Sequence, residues 1–369
     1  MKIWIVWLPN VGKSTLFNAL TKSYCSAQNF PFCTIEPNIG VVDVRDHRLD
    51  RLSEIFNSKN TIYANIKFVD IAWLVKGASQ WEWLWNKFLS HIREVDTIVH
   101  VVRYFVDEDI SHVHWKIDPI SDAEIINAEL MIADLEQIEK ALPTLEKTQK
   151  KSKEQELQLH IYKLAKDSLD QWKFIHNIRS ELSTEEKRLL DSYNFITDKE
   201  MIYAVNVSEN DLKDYKKIED NMKNTLWNDA IVVSAKLETE LMELEEDERL
   251  DYIKSIIGDT TKEYTLENMP TLDRLIKKAF DKVWLLYYFT AGEKECRAWT
   301  IHKGWTGPQA AWVIHTDFEK WYIRAEVVNY DHIIHDGTRA NARSNWHLRI
   351  EWKDYIVQDG DVMLFRFSS

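Results

Sequence analysis

Glycine is the residue this chain most lacks: 9 of 369, against a usual share of roughly 7%. None occurs between Gly77 and Gly258, and no proline between Pro143 and Pro270. That stretch has few places to turn tightly or break, and it reads as long regular elements. Cysteine is scarce too, at three residues. Cys25, Cys33 and Cys296 have no metal-ligand spacing and cannot all pair, which argues against a disulfide scaffold and for a reducing compartment. No apolar run approaches the length of a membrane span. The N-terminus reads as a core strand rather than a signal peptide. A cytoplasmic protein without a membrane partner is expected. The formal net charge of −13 argues against non-specific nucleic-acid binding by the chain as a whole, and no DNA partner is expected. A local basic face stays open. At 369 residues the chain exceeds one ordinary core, so two or three domains are expected. Tryptophan, at 16 residues, is in excess.

The chain is organised around Trp7-Leu8-Pro9-Asn10-Val11-Gly12-Lys13-Ser14-Thr15. An apolar run, Ile3 to Val6, precedes it and an amphipathic stretch, Leu16 to Leu20, follows. Strand, tight loop ending in Gly-Lys-Ser, then helix is the context of a phosphate-binding P-loop. In such a loop Lys13 reaches the β- and γ-phosphates, Ser14 holds Mg²⁺, and amides at the helix N-terminus cradle the oxygens. The pattern G-x-x-x-x-G-K-[ST] is met except at its first position, where Trp7 replaces glycine. The competing reading is a chance Gly-Lys-Ser in a loop. Further on, Phe68-Val69-Asp70 ends an apolar run in an acid, where a P-loop protein places the carboxylate of its Mg²⁺ shell. By itself such an Asp is often only a strand end.

Residues 1–128 alternate apolar strands with helical patterns, the signature of an α/β sheet. Ile3–Val6, Ile66–Val69 and Thr97–Val102 read as buried strands, and 30–38 reads as a proline-rich loop. From 123 the character changes. Ala123–Leu142 and about Glu154–Leu169 carry apolar residues at helical spacing, joined by the charged turn Lys147–Lys153, which predicts an antiparallel helical hairpin. Strand character returns at 201–206 and at Ala230–Val233, so the hairpin is an insertion. Helices are expected at Asp211–Leu226, Glu238–Ile257 and Leu272–Val283. Beyond Leu285 the segments Leu285–Thr290, Arg297–Ile301 and Tyr322–Val328 read as strands, with a short helix over Gln309–Ile314. Asp354–Val357 and Val362–Phe367 read as a final hairpin turning at Asp359-Gly360.

These residues together resemble the YchF/Obg-like ATPases, a branch of the Obg group of P-loop GTPases. The resemblance covers Leu8–Leu20, Phe30–Asn38, Phe68–Asp70, Asn86–Arg93, Lys116–Pro119, Tyr193–Phe195 and Asn206–Glu209. In the C-terminal part it covers Tyr288–Gly292, Arg297–Thr300, Val313–Lys320, Ile323–Val327 and Tyr355–Met363. It implies an α/β P-loop NTPase (G) domain over 1–128 and 200–280 and an inserted antiparallel helical hairpin or coiled-coil domain over 129–199. A C-terminal β-grasp (TGS) α+β domain is implied over 281–369.

The same resemblance assigns roles. Asn10, Val11, Gly12, Lys13, Ser14 and Thr15 match the phosphate loop. Ser14, with Thr34 of switch I and Asp70 of switch II, matches the Mg²⁺ site. Asn206-Val207-Ser208-Glu209 occupies the base-recognition position as N-x-x-E in place of N-K-x-D, and Ser234-Ala235-Lys236 matches the loop beside the base. Guanine offers two neighbouring N–H donors that a short Asp accepts side by side, whereas adenine offers one amine on that edge. Glu209 and Val207 therefore fit the family's preference for ATP over GTP. Leu74 stands where many GTPases place a water-orienting glutamine, and His112 matches a loop histidine considered catalytic in the family. Its neighbour His114 does not match. The resemblance implies a Mg²⁺-dependent ATP-hydrolysing switch acting on the ribosome, large or small subunit, in translation or stress regulation. RNA contact through the helical and TGS domains is part of that expectation. A non-catalytic nucleotide- or ribosome-binding protein, or a true GTPase, are the alternatives.

Against the family, Trp4, Trp7, Trp73, Trp81, Trp83, Trp85, Trp115, Trp172, Trp284, Trp312, Trp321 and Trp352 fall where glycine is expected, and Trp299 where tryptophan belongs. Moving these twelve to the glycine column leaves four tryptophans and brings glycine near its usual frequency. One reading is a divergent homologue that packs with aromatics. The other is a UGA codon read as tryptophan where the source organism reads glycine, which alone explains the coincidence with glycine sites beside an intact Lys13, Ser14 and Asp70.

Overall fold

The computed structural model describes residues 2–24, 39–70, 92–93, 95–106, 117–148, 152–258, 265, 268–283 and 285–367. The expected loop at 30–38 with Thr34, Leu74, His112 and Trp73, Trp81, Trp83, Trp85, Trp115 and Trp284 lie outside the described residues. In chain order the first elements are β1 (Lys2–Trp7), α1 (Lys13–Tyr24), β2 (Ile39–Val44), α2 (His47–Phe56), β3 (Thr61–Ile62), β4 (Ala64–Asp70) and β5 (Thr97–Arg103). Next come α3 (Pro119–Lys147), α4 (Lys153–Asp170), α5 (Thr184–Tyr193), β6 (Glu200–Asn206), α6 (Tyr215–Leu226) and β7 (Asp229–Val233). Then follow α7 (Ala235–Glu240), α8 (Glu246–Ile257), α9 (Leu272–Asp281), β8 (Leu285–Ala291), β9 (Cys296–His302) and α10 (Gly307–Ile314). The chain closes with α11 (Phe318–Trp321), β10 (Tyr322–Asn329), α12 (Tyr330–Asp336), α13 (Arg339–Ser344), β11 (Arg349–Glu351) and β12 (Asp361–Phe367). The chain divides into two compact units. Unit 1 is Met1–Ser23, Ile35–Gly40 and Lys67–Leu275; unit 2 is Tyr24–Thr34, Val41–Ile66 and Ile276–Ser369.

Near-continuous apolar runs make strands buried on both faces, which favours parallel pairing under helices. The first sheet has the order β2-β4-β1-β5-β6-β7, and the unit boundary runs through β2 and β4. β1 pairs in parallel with β4 and β5, β5 with β6, and β6 with β7. Every residue of β5 is buried. This is the α/β sheet of a P-loop G domain, with the phosphate loop at the end of β1.

The long glycine-free stretch forms the expected helical hairpin. α3 starts earlier than its apolar periodicity suggests, because Asp118 caps it by accepting the Ser121 N–H at 3.1 Å and Pro119 opens its first turn. Pro143 does not end it; the helix runs on to Lys147. α4 begins with a reciprocal Ser152–Gln155 capping box. Ion pairs Lys163–Glu146 and Lys166–Glu139 run in opposite chain order on the two helices, so they lie antiparallel. Asp134, buried in α3, accepts the N–H groups of Ile196 (2.9 Å) and Thr197 (2.7 Å), tying the hairpin to the segment that leads into β6.

Unit 2 is built on a mixed sheet of order β11-β10-β12-β8-β9-β3, with antiparallel β8·β9, β10·β12 and β10·β11 and parallel β12·β8. With α10 packed on its core through Ala310 and Ala311, it is a β-grasp-like α+β arrangement. The expected hairpin does not form: Asp354–Val357 makes only a single bridge, Ile356 to Thr306, and β12 pairs with β10 and β8 instead. The acids of the turn explain this. Asp361 accepts the Gln358 N–H (2.9 Å) and the Tyr355 hydroxyl (2.6 Å). Asp359 accepts the Tyr287 N–H (3.0 Å) and pairs with Arg48 (2.6 Å). The loop is thus fastened to β8 and α2 instead of folding Val357 back on β12. The helices α12 and α13 also escaped the sequence reading; they are short and largely polar, with too few turns to show a period.

His100, in β5, is fully buried, and neither ring nitrogen has a hydrogen-bond partner among the described residues. Its ring lies 5.3 Å from that of Tyr203. Burial pushes its pKa down to about 3, so the folded chain holds it neutral. Below the ordinary value of 6.5 the unfolded chain binds a proton that the folded one refuses, so this group makes stability fall as pH drops from 6.5 towards 3. In denaturant unfolding, His100→Phe is expected to remove up to about 1.4 kcal/mol per pH unit of that slope. An unchanged slope would mean that the ring is protonated in the fold.

Candidate functional site

Four neighbouring strands, β1, β5, β6 and β7, end at one edge of the first sheet, as their parallel registers require: Trp7 faces Val101, and Arg103 and Val233 flank Asn206. The carboxyl edge of a parallel sheet is where such folds hold ligands. After β1 the chain turns through Asn10 (φ +64°) and Gly12 (φ +85°) and enters α1 with the Leu16 N–H bonded to Gly12 O at 3.0 Å. Gly12 has two reasons to be glycine. Its φ lies in the left-handed region, and a Cβ there would run into the side-chain amide of Asn206.

Asn206 is buried and uses both ends of its amide. Nδ2 donates to Val11 O in the phosphate loop (2.9 Å), and Oδ1 accepts the Ala235 N–H in the loop after β7 (3.1 Å). Its own carbonyl accepts the Tyr104 N–H (2.9 Å), and the next residue, Val207, donates to Val233 O (2.9 Å). One side chain therefore joins Val11 and Gly12 to Ser234 and Ala235, so the residues matched to phosphate and base are in contact. Val207, Ser234 and Ala235 are buried. Asn10, Ser14, Thr15, Glu209 and Lys236 are exposed, and Gly12 and Lys13 are half-buried.

Two further residues belong to this edge. Arg103, almost wholly buried, donates to Asn10 O (3.3 Å) and Phe105 O (3.1 Å), and its guanidinium lies 4.5 Å over the Phe105 ring. A lone arginine directly after the apolar run 97–102 was the available signal in the sequence. The Glu209 carboxylate accepts the Tyr252 hydroxyl of α8 (3.3 Å), and its charge raises the pKa of that phenol. Nothing in the local sequence marks that partner.

Lys13 Nζ sits 4.4 Å over the ring of Trp7, a cation–π contact made by the residue that replaces the pattern's first glycine. Ser14 is in the first turn of α1, where no acidic side chain competes with an incoming anion. Asp70 ends β4, the strand beside β1, in register with Ile5. By residue type, serine and aspartate are the hard oxygen donors that Mg²⁺ takes alongside phosphate and water, so the chemistry of Ser14 and Asp70 fits that ion. Glu238, a buried residue of α7, accepts the Leu272 N–H (2.8 Å) and an Arg249 N–H (3.3 Å), and burial pushes its pKa up to about 7.

Asn206→Ala is expected to leave Val11 O and Ala235 N–H without partners and to cost about 1–3 kcal/mol in denaturant unfolding. Asn206→Asp, which keeps the acceptor for Ala235 and loses the donor to Val11, should weaken nucleotide binding in a titration more than it lowers stability. Equal nucleotide affinity in all three chains would show that the link does not shape the site.

Known proteins match the chain over nearly its whole length. A family model described as 50S ribosome-binding GTPase matches residues 2–162, and the YchF-GTPase C-terminal model, described as a protein of unknown function, matches 285–368. The ribosome-binding ATPase YchF of Haemophilus ducreyi is 46% identical over 370 residues, covering 100% of this chain and 99% of that protein. The corresponding protein of Bacillus subtilis is 43% identical, covering 99% of this chain and 98% of that one. Obg-like ATPase 1 of Pongo abelii is 41% identical, with 100% and 93% covered. Among solved structures, the YchF GTPase of Schizosaccharomyces pombe superposes with a TM-score of 0.85 at 35% identity, covering 99% of this chain and 97% of that one. With a P-loop, an N-x-x-E loop after β6 and a β-grasp-like C-terminal part all in place over its full length, the chain belongs to the YchF/Obg-like ATPase family of P-loop nucleotide hydrolases.

Proposed function

We propose that this protein is a cytoplasmic molecular switch that binds and hydrolyses ATP in preference to GTP and works on the ribosome in translation or its regulation under stress. The observation that carries the nucleotide half is Asn206, whose amide links the phosphate loop to the loop after β7. Lys13 and the amides leading into α1 are suited to the β- and γ-phosphates, and Asn206, Val207, Glu209 and Ser234 to Lys236 to the base. Ser14, Thr34 and Asp70 would hold Mg²⁺, which when bound neutralises charge on the β- and γ-oxygens. His112 is the proposed group for orienting the attacking water.

The base preference follows from Glu209 and Val207. The longer acid is already engaged by the Tyr252 hydroxyl, and valine replaces the lysine of N-K-x-D, so the paired acceptor that guanine needs is not supplied. Ribosome binding rests on the relatives, whose names state it, and the family model's 50S wording favours the large subunit. The helical hairpin and the TGS part are the proposed contact surface, including any contact with RNA.

One observation favours a second reading. Trp7 holds the Lys13 ammonium over its ring, so the chain as written could be a binding protein with a blocked phosphate loop. ATP titration of this chain beside Trp7→Gly separates the two: binding by Trp7→Gly alone assigns the block to the indole, and no binding by either removes the switch reading.

Two measurements test the proposal itself. Lys13→Ala in the hydrolysing chain should lower turnover by about 100-fold or more, the cost of losing one preorganised charge donor. Competition between ATP and GTP should favour ATP, and Val207→Lys combined with Glu209→Asp should move the preference towards GTP. A clear GTP preference before substitution would make the protein a GTPase.

A further inference from the structure

Among the described residues, six other than glycine have positive φ. Three are Asn10, Asn57 and Asn194, the residue type that tolerates this conformation best after glycine. The other three are all tryptophan: Trp172 (φ +57°), Trp227 (φ +58°) and Trp346 (φ +62°). Large side chains rarely adopt the left-handed region, because Cβ there crowds the following carbonyl.

Each of the three sits where a helix is closed by a left-handed residue. The Trp227 N–H bonds to Lys223 O at 2.9 Å, ending α6. Trp172 is followed by Lys173, whose N–H reaches back to Ser168 O at 2.9 Å, and Trp346 by His347, whose N–H reaches Ala342 O at 2.8 Å. The 6→1 bond over a left-handed residue is the Schellman closure, whose left-handed position is dominated by glycine. The same chain shows the rule elsewhere: Gly258 (φ +72°) closes α8 and Gly337 (φ +71°) closes α12, each through its own N–H.

The side chains offer no reason for tryptophan. Trp172, Trp227 and Trp346 are 74%, 84% and 91% exposed, whereas an indole ordinarily contributes by burial. Trp299 and Trp305 differ in kind. The Trp299 indole N–H donates to Thr290 Oγ1 (2.9 Å), its ring stacks on Tyr288, and Arg297 lies 4.0 Å over it. Trp305 packs on the core of unit 2 beside His302. Neither has positive φ.

We infer that residues 172, 227 and 346 are glycine in the protein its source makes, the tryptophans arising from UGA codons read in the wrong code. UGG means tryptophan in either reading, so only UGA can produce the exchange. Positions 227 and 346 are added by backbone conformation and exposure, without any family pattern. The same decoding returns glycine to position 7, removes the ring under Lys13 and completes the phosphate-loop pattern. This inference does not rest on the proposed function, and failure of a hydrolysis or nucleotide-binding assay leaves it standing.

Two measurements decide it. The coding sequence, read as messenger RNA, should carry UGA at 7, 172, 227 and 346 and UGG at 299 and 305, and peptides of the protein isolated from its source should show the glycine mass at the first four. UGG at 172, 227 and 346, or the tryptophan mass there, overturns the inference and makes the exposed indoles genuine surface residues. In recombinant protein, Trp172→Gly, Trp227→Gly and Trp346→Gly should each raise the denaturation midpoint, while Trp299→Gly lowers it. A lowered midpoint at all three would show that these helix ends do not call for glycine, and would also overturn it.

Discussion

The site depends on one side-chain amide having no room to spare. Asn206 can bond Val11 O and the Ala235 N–H together only because Gly12 has no Cβ to push its amide away. Each bond is worth about 1 kcal/mol net, and leaving either buried partner unmade costs more than the bond contributes. The strand order makes this possible. Because β1, β5, β6 and β7 are adjacent and parallel, loops distant in sequence leave the sheet at one edge, and a short side chain on β6 spans them. Arg103 at the end of β5 fixes Asn10 O from the other side, so the phosphate loop is held by two strands besides its own. Neither contact is made by the loop's own sequence pattern.

That division explains what could be read in advance. The phosphate loop was legible because its pattern is local: strand, turn, Lys13 and helix follow one another between Ile3 and Leu20. The helical hairpin was legible because long helices repeat their apolar spacing many times. Asn206 was found through a family motif, but its bond to Val11 spans 195 residues and has no local signature. Tyr252, whose contact with Glu209 spans 43 residues, was missed for the same reason, whereas Arg103 was missed although it stands directly after an apolar run. Boundaries moved where capping outweighed periodicity, as at Asp118-Pro119, whose polar first turn carries no apolar repeat.

The C-terminal turn shows local chemistry overruled by distant partners. Asp359-Gly360 carries the dipeptide that favours a tight hairpin, and Gly360 does have positive φ. Yet Arg48, itself clamped by Asp46 at the start of α2 (2.7 Å), holds Asp359, and Tyr287 uses its N–H on the same carboxylate. Burial of Asp46 opposes ionisation, but the Arg48 guanidinium holds its carboxyl below the usual range. Asp46 therefore stays a charged acceptor for Arg48. A loop with two such anchors has no freedom to close a hairpin, and β12 takes its partners from β8 and β10.

Glycine and tryptophan lie at opposite extremes of what a backbone position permits, which makes their exchange unusually easy to see in a fold. A wrong small residue in a core leaves a cavity, and a wrong polar residue on a surface leaves almost nothing. An indole on a left-handed residue leaves two marks that arise from separate physics: a dihedral angle that its Cβ disfavours, and a large apolar ring in solvent. Trp172, Trp227 and Trp346 carry both marks, while Trp299 carries neither and has a hydrogen bond, a stacked ring and a cation over its face. Natural sequences agree with their folds at every level, and local conflict is expected chiefly where function demands it. Two of these helix ends close with the Schellman bond pattern and the third with the simpler single bond, far in sequence from Lys13 and Asn206. Function gives them no reason for strain, so the conflict belongs to the letters and not to the fold.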